Sequence, residues 1–424
     1  MARARTIALG AGLGSTAAGA VWLWRNQGEI ATRRPVNEWT FTHMNRVMPT
    51  EAIPRPATCR GLAERGLLPE IEYAFDGRVR PLSDLHRRTH TTSFLVVHRG
   101  RVLAEQYPGR FAHPGTRFQC YSLSKSITSM LIGIAIERGE IGSIEDPVTR
   151  YRPELSGSAY DGPTIAHLLD MTSGAGGLED WTVPDAPILR FQEAVTTGGS
   201  VLDVIRSLPR VAEPGTAFNY STMESHVLGW VVEAATGRTL AQLASERLWQ
   251  PMGAEHDGYY FLTRGRPRTA LGGGSLNASA RDLARLGLIM ANGGRSGSEP
   301  GAVQIVPEAW VERSRGSAAP HLQVGALVAG GGYEHYGYAN QWWTLGGPHR
   351  EFTGLGVHGQ YLWVDPDRET VIVKTSAWNT ADDEARDLET VAAFRAITAG
   401  LAEDGDPGGE ADGTGPGGPA VAAR

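Results

Sequence analysis

Lysine is almost missing from this chain. Of its 40 basic residues only Lys125 and Lys374 are lysine, and all the others are arginine. Cysteine is as scarce: Cys59 and Cys120 cannot build a disulfide framework, and no C-x-x-C occurs. Two thiols are expected there rather than one bridge. There is no surplus of positive charge either. A formal net charge of −6 gives no reason to expect nucleic acid as a partner, and His86-Arg87-Arg88 reads as a solvated single-turn cluster. Several signatures are absent as well. No G-x-S-x-G occurs, which argues against an α/β-hydrolase elbow. The Gly272–Gly274 run has no Lys-Ser/Thr after it and is no P-loop. His86 and His90 stand four apart without a third ligand nearby in sequence, so no zinc site is expected.

What remains describes a soluble globular protein of 424 residues, 41% hydrophobic and 20% charged, long enough for one large core or two smaller ones. Near the N-terminus, Arg3 and Arg5 precede an uncharged run from Thr6 to Trp24 that is rich in Ala and Gly, and Arg25 closes it. That run has the length of a signal anchor, while Ala18-Gly19-Ala20 resembles the cleavage site of a secretory signal. Residues 1–25 are therefore expected to export or anchor the body outside the cytoplasm, with membrane association through residues 6–24. A leader without targeting role on a cytoplasmic protein is the alternative.

Residues 26–60 show scattered Pro and little periodicity and read as a wrapping arm. Ser93–Tyr107 gives two β-rich runs around Arg99-Gly100, a hairpin signal. From about 119 to 329 the pattern is helical, with segments expected at Ser122–Arg138, Ser200–Leu208, Met223–Ala235 (stopped by Gly237) and Leu240–Trp249. Ser279 with Asp282 makes a capping-box-like start for a helix ending at Asn292-Gly293-Gly294. After about 330, Tyr336–Trp343, Gly356–Val364 and Val371–Ser376 are strand candidates. A last helix from Asp383 to Leu401 is expected to present Leu388, Val391, Ala392 and Ile397 to the core. Residues 403–424 are Gly, Pro, Asp and Glu with almost no bulky side chains and are expected to be disordered. The order implies an α/β (α+β) fold: an antiparallel sheet flanked by helices, its strands drawn from about 61–118 and 330–402, with a mostly helical part between.

Lys125 follows Ser122 by three residues within Gln119–Glu140. On a helix that spacing sets the amine one turn above the hydroxyl, on the same face. The helix N-terminus favours an oxyanion and disfavours an ammonium, and burial lowers a lysine pKa further. A lysine so placed becomes a proton acceptor. Arginine, whose pKa stays above about 12, cannot. The bland reading is an N-cap serine followed by a solvated lysine. Ile127, Met130, Leu131, Ile134 and Ile136 speak against it, because they require a largely buried helix.

This stretch resembles the Ser-x-x-Lys motif of the β-lactamase-related serine hydrolases, which include class C β-lactamases, DD-peptidases, esterases and 6-aminohexanoate-dimer hydrolases. The similarity runs from about Ser93 to Leu401. Thr164–Gly174 (TIAHLLDMTSG) resembles the family's His-Leu-Leu-x-x-x-Ser-Gly segment. Pro214–Gly237 resembles the segment with its second motif, and Leu271–Gly294 its Gly-rich loop and following helix. The resemblance implies a serine hydrolase that cleaves a small ester or amide through an acyl-enzyme on Ser122, without metal or organic cofactor. It places Tyr220 beside the serine as a general base coupled to Lys125, and a neighbouring ammonium would favour its phenolate. Thr222 stands where class C β-lactamases have an Asn facing the substrate amide.

The third motif departs from the family. Instead of Lys-Thr-Gly the chain has Gly356-Val357-His358-Gly359-Gln360. Anchored on Gly359, it puts Val357 at the lysine position, His358 at the threonine, and the Gln360 N–H opposite the Ser122 N–H as oxyanion donor. His358 as a core histidine bonded to backbone is the alternative. Lys374-Thr375-Ser376 falls on the next strand, so Lys374 is expected to be a bystander. Tyr336, Tyr338, Trp342 and Trp343 read as sheet-core and rim residues, with Trp343 as a candidate wall of the acyl pocket. Tyr-Ser-Thr and the altered third motif resemble the esterase and 6-aminohexanoate-dimer-hydrolase branch. A DD-peptidase or β-lactamase, an acyltransferase and a non-catalytic relative are the alternatives.

Overall fold

The computed structural model describes residues 31–176, 179–181, 183–298, 300–327, 335–347 and 349–403. The apolar run 6–24 and the tail from residue 404 lie outside them, and with them the anchor and disorder expectations. Among the described residues no helix is long and apolar enough to cross a membrane.

Two distant pieces of sequence build one sheet. β1 (Thr91–His98) and β2 (Arg101–Gln106) come from the first piece. The second supplies β3 (Gly337–Ala339), β4 (Trp342–Gly346), β5 (Glu351–Gly356), β6 (Gln360–Asp365) and β7 (Thr370–Ser376). The order is β3-β4-β5-β6-β7-β1-β2, with Ala63–Arg65 added at the far edge. Neighbours from β1 to β7 are antiparallel, and only the Ala63–Arg65 pairing with β2 is parallel. The two pieces join where β7 lies on β1, with Val371 opposite Val97 and Val373 opposite Leu95.

Alternation along β1 explains the layers. Leu95 and Val97 enter one core, and Phe94 and Val96 enter another on the opposite face. On the first face lie α1 (Leu123–Glu137), α2 (Thr222–Thr236) and α3 (Ala280–Ala291). On the second lies α4 (Glu384–Glu403), which buries Val391, Phe394, Ile397 and Leu401. Leu388 is not on that face, being 37% exposed. The second turn of α4 instead turns Glu389 inward to accept from Tyr73 (2.8 Å) and Arg88. α1 is buried from Leu123 to Ala135, as its Ile127, Met130, Leu131 and Ile134 require, and its Ser and Thr side chains are buried with them. Ser279 caps α3 by accepting from the Asp282 N–H, and α2 stops at Gly237 with φ 68°.

Within the expected arm, Thr50–Ile53 forms a strand that pairs with Gly258–Phe261. Two strand expectations needed correction. The segment Tyr336–Trp343 is not one strand. Asn340 and Gln341 take left-handed φ values of 55° and 67° and turn it into the β3–β4 hairpin. Polar bonds to the helical layer hold that turn: the Gln341 amide donates to the Leu168 carbonyl at 2.7 Å, and Ser126 Oγ donates to the Gln341 carbonyl at 2.8 Å. Gly356–Val364 is not one strand either. Gly356 ends β5, Val357–Gly359 turns, and Gln360 begins β6.

Lys374, on β7, is fully buried. Its Nζ donates to Ser376 Oγ at 2.7 Å and lies 5.3 and 5.4 Å from the ring centres of Tyr361 and Trp378. Burial pushes its pKa down to about 7, against the pull of Asp387 and Glu389. Between about pH 7 and the ordinary lysine value near ~10.4 the unfolded chain binds the extra proton, so stability rises with pH in that window. Lys374→Met should therefore be more stable than wild type in urea unfolding at pH 7. The gap should close towards pH 10, by up to about 1.4 kcal/mol per pH unit.

Candidate active site

The short strand Phe118–Gln119 pairs with Leu276–Ala278 and delivers the chain to Ser122 at the head of α1. The step before the serine is strained. Tyr121 has φ 49°, an unfavourable region for a residue with a Cβ. Its ring is held between Phe41 (centroids 5.1 Å apart) and His358 (5.3 Å).

Lys125 sits one turn along α1, with 1% of its surface exposed. Its Nζ lies 2.9 Å from Ser122 Oγ and 2.9 Å from Thr222 Oγ1, and donates to the Gly273 carbonyl at 3.1 Å. Burial pushes its pKa down to about 8, with Glu179 opposing the shift. The Gly-rich loop has to be glycine here. A Cβ on Gly272 would stand 2.5 Å from the Ser225 carbonyl, and one on Gly273 2.8 Å from that of Thr222. The loop thus lies directly on the backbone of α2 and presents its carbonyl to the amine.

Tyr220 precedes α2, near enough to Ser122 for the serine hydroxyl to lower its pKa. Lys125 Nζ lies 4.8 Å from its ring centre. The structure thus brings Ser122, Lys125 and Tyr220 together from two elements of the helical layer. The electrostatics differ from the sequence expectation, which favoured phenolate. Burial, followed by the Glu179 field, raises the Tyr220 pKa well above its ordinary value, while the Ser122 hydroxyl lowers it and Asp382 raises it. Tyr220 is therefore a neutral phenol near pH 7 and a proton donor.

Thr222 does not offer a free hydroxyl to a substrate. Its Oγ1 bridges Lys125 and Glu179, donating to Glu179 Oε1 at 2.9 Å, and its N–H donates to Oε2 at 2.5 Å. Glu179 was missed in the sequence, where a lone glutamate in an irregular segment carries no periodic or motif signal. Burial raises its pKa, and Lys125 and the two Thr222 bonds pull it down.

β5, not β6, is the strand beside the serine. A Cβ on Gly354 would stand 3.1 Å from Ser126 Oγ, and one on Gly356 only 2.3 Å from the Cys120 carbonyl. Gln360 begins the next strand, and its side-chain amide donates to the Ser376 carbonyl at 2.9 Å. Among the described residues neither the Ser122 N–H nor the Val357 N–H meets an acceptor. His358 and Gly359 lie in the turn between β5 and β6. The His358 N–H donates to the Ala381 carbonyl at 2.7 Å, Nδ1 lies 2.9 Å from the Trp378 carbonyl, and burial pushes its pKa down to about 4. Gly359 has φ 87° and packs on the Trp378 ring. Trp343 is buried with its ring 5.2 Å from that of Tyr220, beside Tyr338 and Phe218. Cys59 and Cys120 are both free thiols.

Comparison with known proteins agrees with this geometry. The family model described as Beta-lactamase matches residues 75–396. A 6-aminohexanoate-dimer hydrolase of Paenarthrobacter ureafaciens is 33% identical over 361 residues, covering 82% of this chain and 87% of the relative. An esterase of Burkholderia gladioli is 31% identical over 177 residues, covering 39% of this chain and 44% of its own. A solved structure from Bacillus anthracis, provisionally assigned as a 6-aminohexanoate-dimer hydrolase, superposes with a TM-score of 0.76 at 26% identity, covering 88% of this chain and 96% of that one. With a family match across most of its length and relatives named as hydrolases, the chain belongs to the β-lactamase family, as a serine hydrolase.

Proposed function

We propose that this hydrolase cleaves a small ester or linear amide through an acyl-enzyme on Ser122. The observation that carries the reading is the place of the amine: Lys125 Nζ lies 2.9 Å from Ser122 Oγ and 4.8 Å from the Tyr220 ring centre. Neutral Lys125 takes the Ser122 proton as Oγ bonds to the carbonyl carbon. The carbonyl oxygen becomes an oxyanion. Its donors are the N–H of Ser122 and, in place of Gln360, the N–H of Val357 at the end of the strand touching the Ser122 turn. Tyr220 gives its proton to the leaving oxygen or nitrogen as the carbonyl–leaving-group bond breaks, and the Lys125 ammonium reprotonates the phenol. Water repeats the cycle on the acyl-enzyme, with Lys125 as base, and releases the acid.

The substrate class is argued from what surrounds the site. Trp343, Tyr338 and Phe218 form a buried aromatic cluster beside Tyr220, and Glu179 and Asp382 place negative charge near Tyr220. At the end of β5, Leu355-Gly356-Val357 offers no cation for the carboxylate of a β-lactam. The name of the 33% identical relative supports a linear aminoalkanoyl amide as the first substrate to test.

The test is turnover and intact mass of wild type and Ser122→Ala with an activated short-chain ester, a linear amide and a penicillin. Turnover of ester or amide and an acyl adduct lost in Ser122→Ala are expected. Ser122-independent turnover, or none, contradicts the reading, and rapid penicillin turnover moves it to the β-lactamase alternative. A second prediction concerns pH. The base must be neutral, so kcat/KM should rise through the Lys125 pKa of about 8. Lys125→Arg, which keeps the charge and loses the base, should lower kcat by roughly 10²–10⁴-fold in the same assay.

A further inference from the structure

We infer that Glu179 is a positioning residue which, through the Thr222 hydroxyl, aims the lone pair of Lys125 at Ser122. This rests on the reading of Ser122 as nucleophile and Lys125 as its base.

Counting protons around the amine carries it. Ionised Glu179 only accepts, and it takes both donors of Thr222: the N–H at 2.5 Å and the hydroxyl at 2.9 Å. The one hydroxyl proton of Thr222 is then committed, so towards Lys125, 2.9 Å away, Oγ1 can only accept. The Gly273 carbonyl, at 3.1 Å, can also only accept. A neutral amine has two N–H bonds, and these two acceptors use both. The remaining tetrahedral direction is the lone pair, and the remaining partner is Ser122 Oγ at 2.9 Å. Without the carboxylate, the Thr222 hydroxyl is free to rotate and donate to the amine. The lone pair then faces Thr222, and Ser122 keeps its proton.

Glu179 has a second, opposite effect. Its negative charge favours the ammonium form of Lys125. The other titratable groups around the cluster are Tyr220 before α2, Tyr338 on β3, Glu224 on α2, Asp170 after the Ile165–Leu169 helix and Asp382 before α4. Among these described groups, the charge that acts on Lys125 is that of Glu179. Glu179→Gln should therefore make the base easier to deprotonate and yet the enzyme slower. Loss of a purely structural contact would not produce that pairing.

The experiment is steady-state hydrolysis of an activated short-chain ester across pH 5–10 (a range of roughly five units around the ordinary histidine-to-lysine span). The proteins are wild type, Glu179→Gln, Thr222→Val, the double variant and Ser122→Ala, each checked for folding by circular dichroism. Glu179→Gln should lower plateau kcat by about tenfold or more with KM little changed, and move the acid limb to lower pH. Thr222→Val should lower kcat similarly, and the double variant should be no slower than Thr222→Val, because both act through one hydroxyl. Wild-type kcat in Glu179→Gln, an unmoved acid limb, or kcat losses that multiply in the double variant would overturn the inference. If Glu179→Gln does not fold, Thr222→Val with wild-type kcat overturns it alone. Turnover surviving in Ser122→Ala sinks the underlying reading instead. An inactive Ser122→Ala beside a wild-type-like Glu179→Gln sinks only this inference.

Discussion

Everything in the site depends on holding the Lys125 amine out of water. An exposed lysine near pH 7 is an ammonium and cannot accept the Ser122 proton. Burial costs the charged form more than the neutral one and lowers the pKa to about 8, within reach of working pH. The neutral amine still needs partners for its N–H bonds, and the Gly273 carbonyl and Thr222 hydroxyl supply them. A dry amine with satisfied N–H bonds and a lone pair facing the hydroxyl is what the chemistry requires. Arginine meets none of these conditions, which gives a physical reason for one of the two lysines in an arginine-rich chain.

Much of the surrounding structure serves that burial. α1 is covered on every side because it lies between β5 and α2, and close approach around it uses glycine: Gly354 against α1, Gly356 against the Cys120 carbonyl that precedes it, and Gly272 and Gly273 against α2. The Asn340-Gln341 turn fastens the sheet to the helical layer through Leu168, Ser126 and Asp170, so the two halves of the site come from a single braced body. Glu179 adds a negative charge that limits the fall of the lysine pKa, and the same charge helps hold Tyr220 as a phenol. One carboxylate thus favours the protonated form of both the amine and the phenol.

The sequence announced these features unevenly. α1, the Ser279 cap and the Gly237 stop were legible because periodicity and capping are local properties. The two-piece sheet was legible from β-rich runs at both ends of a helical stretch. The β3–β4 and β5–β6 turns were not. Asn340, Gln341 and His358 adopt positive φ without being glycine, held there by tertiary hydrogen bonds that leave no trace in propensity. That error shifted the third motif: a strand drawn through Gly356–Val364 brings Gln360 to the serine, whereas a turn there leaves the end of β5 beside it. Thr222 was noticed for its motif position and assigned to substrate. Its real partner, Glu179, lies 43 residues away in the chain and could not be paired with it from spacing. The buried state of Lys374 was hidden for the same reason, since what covers it comes from β6 and the segment before α4.

With only two lysines, the central claim can be measured directly. Protein grown with isotope-labelled lysine gives two side-chain amine signals by NMR, and a Lys374→Met sample assigns them. The account predicts that the Lys125 signal titrates near pH 8 in the free enzyme. A Lys125 titration at or above the ordinary lysine value near ~10.4 would contradict it.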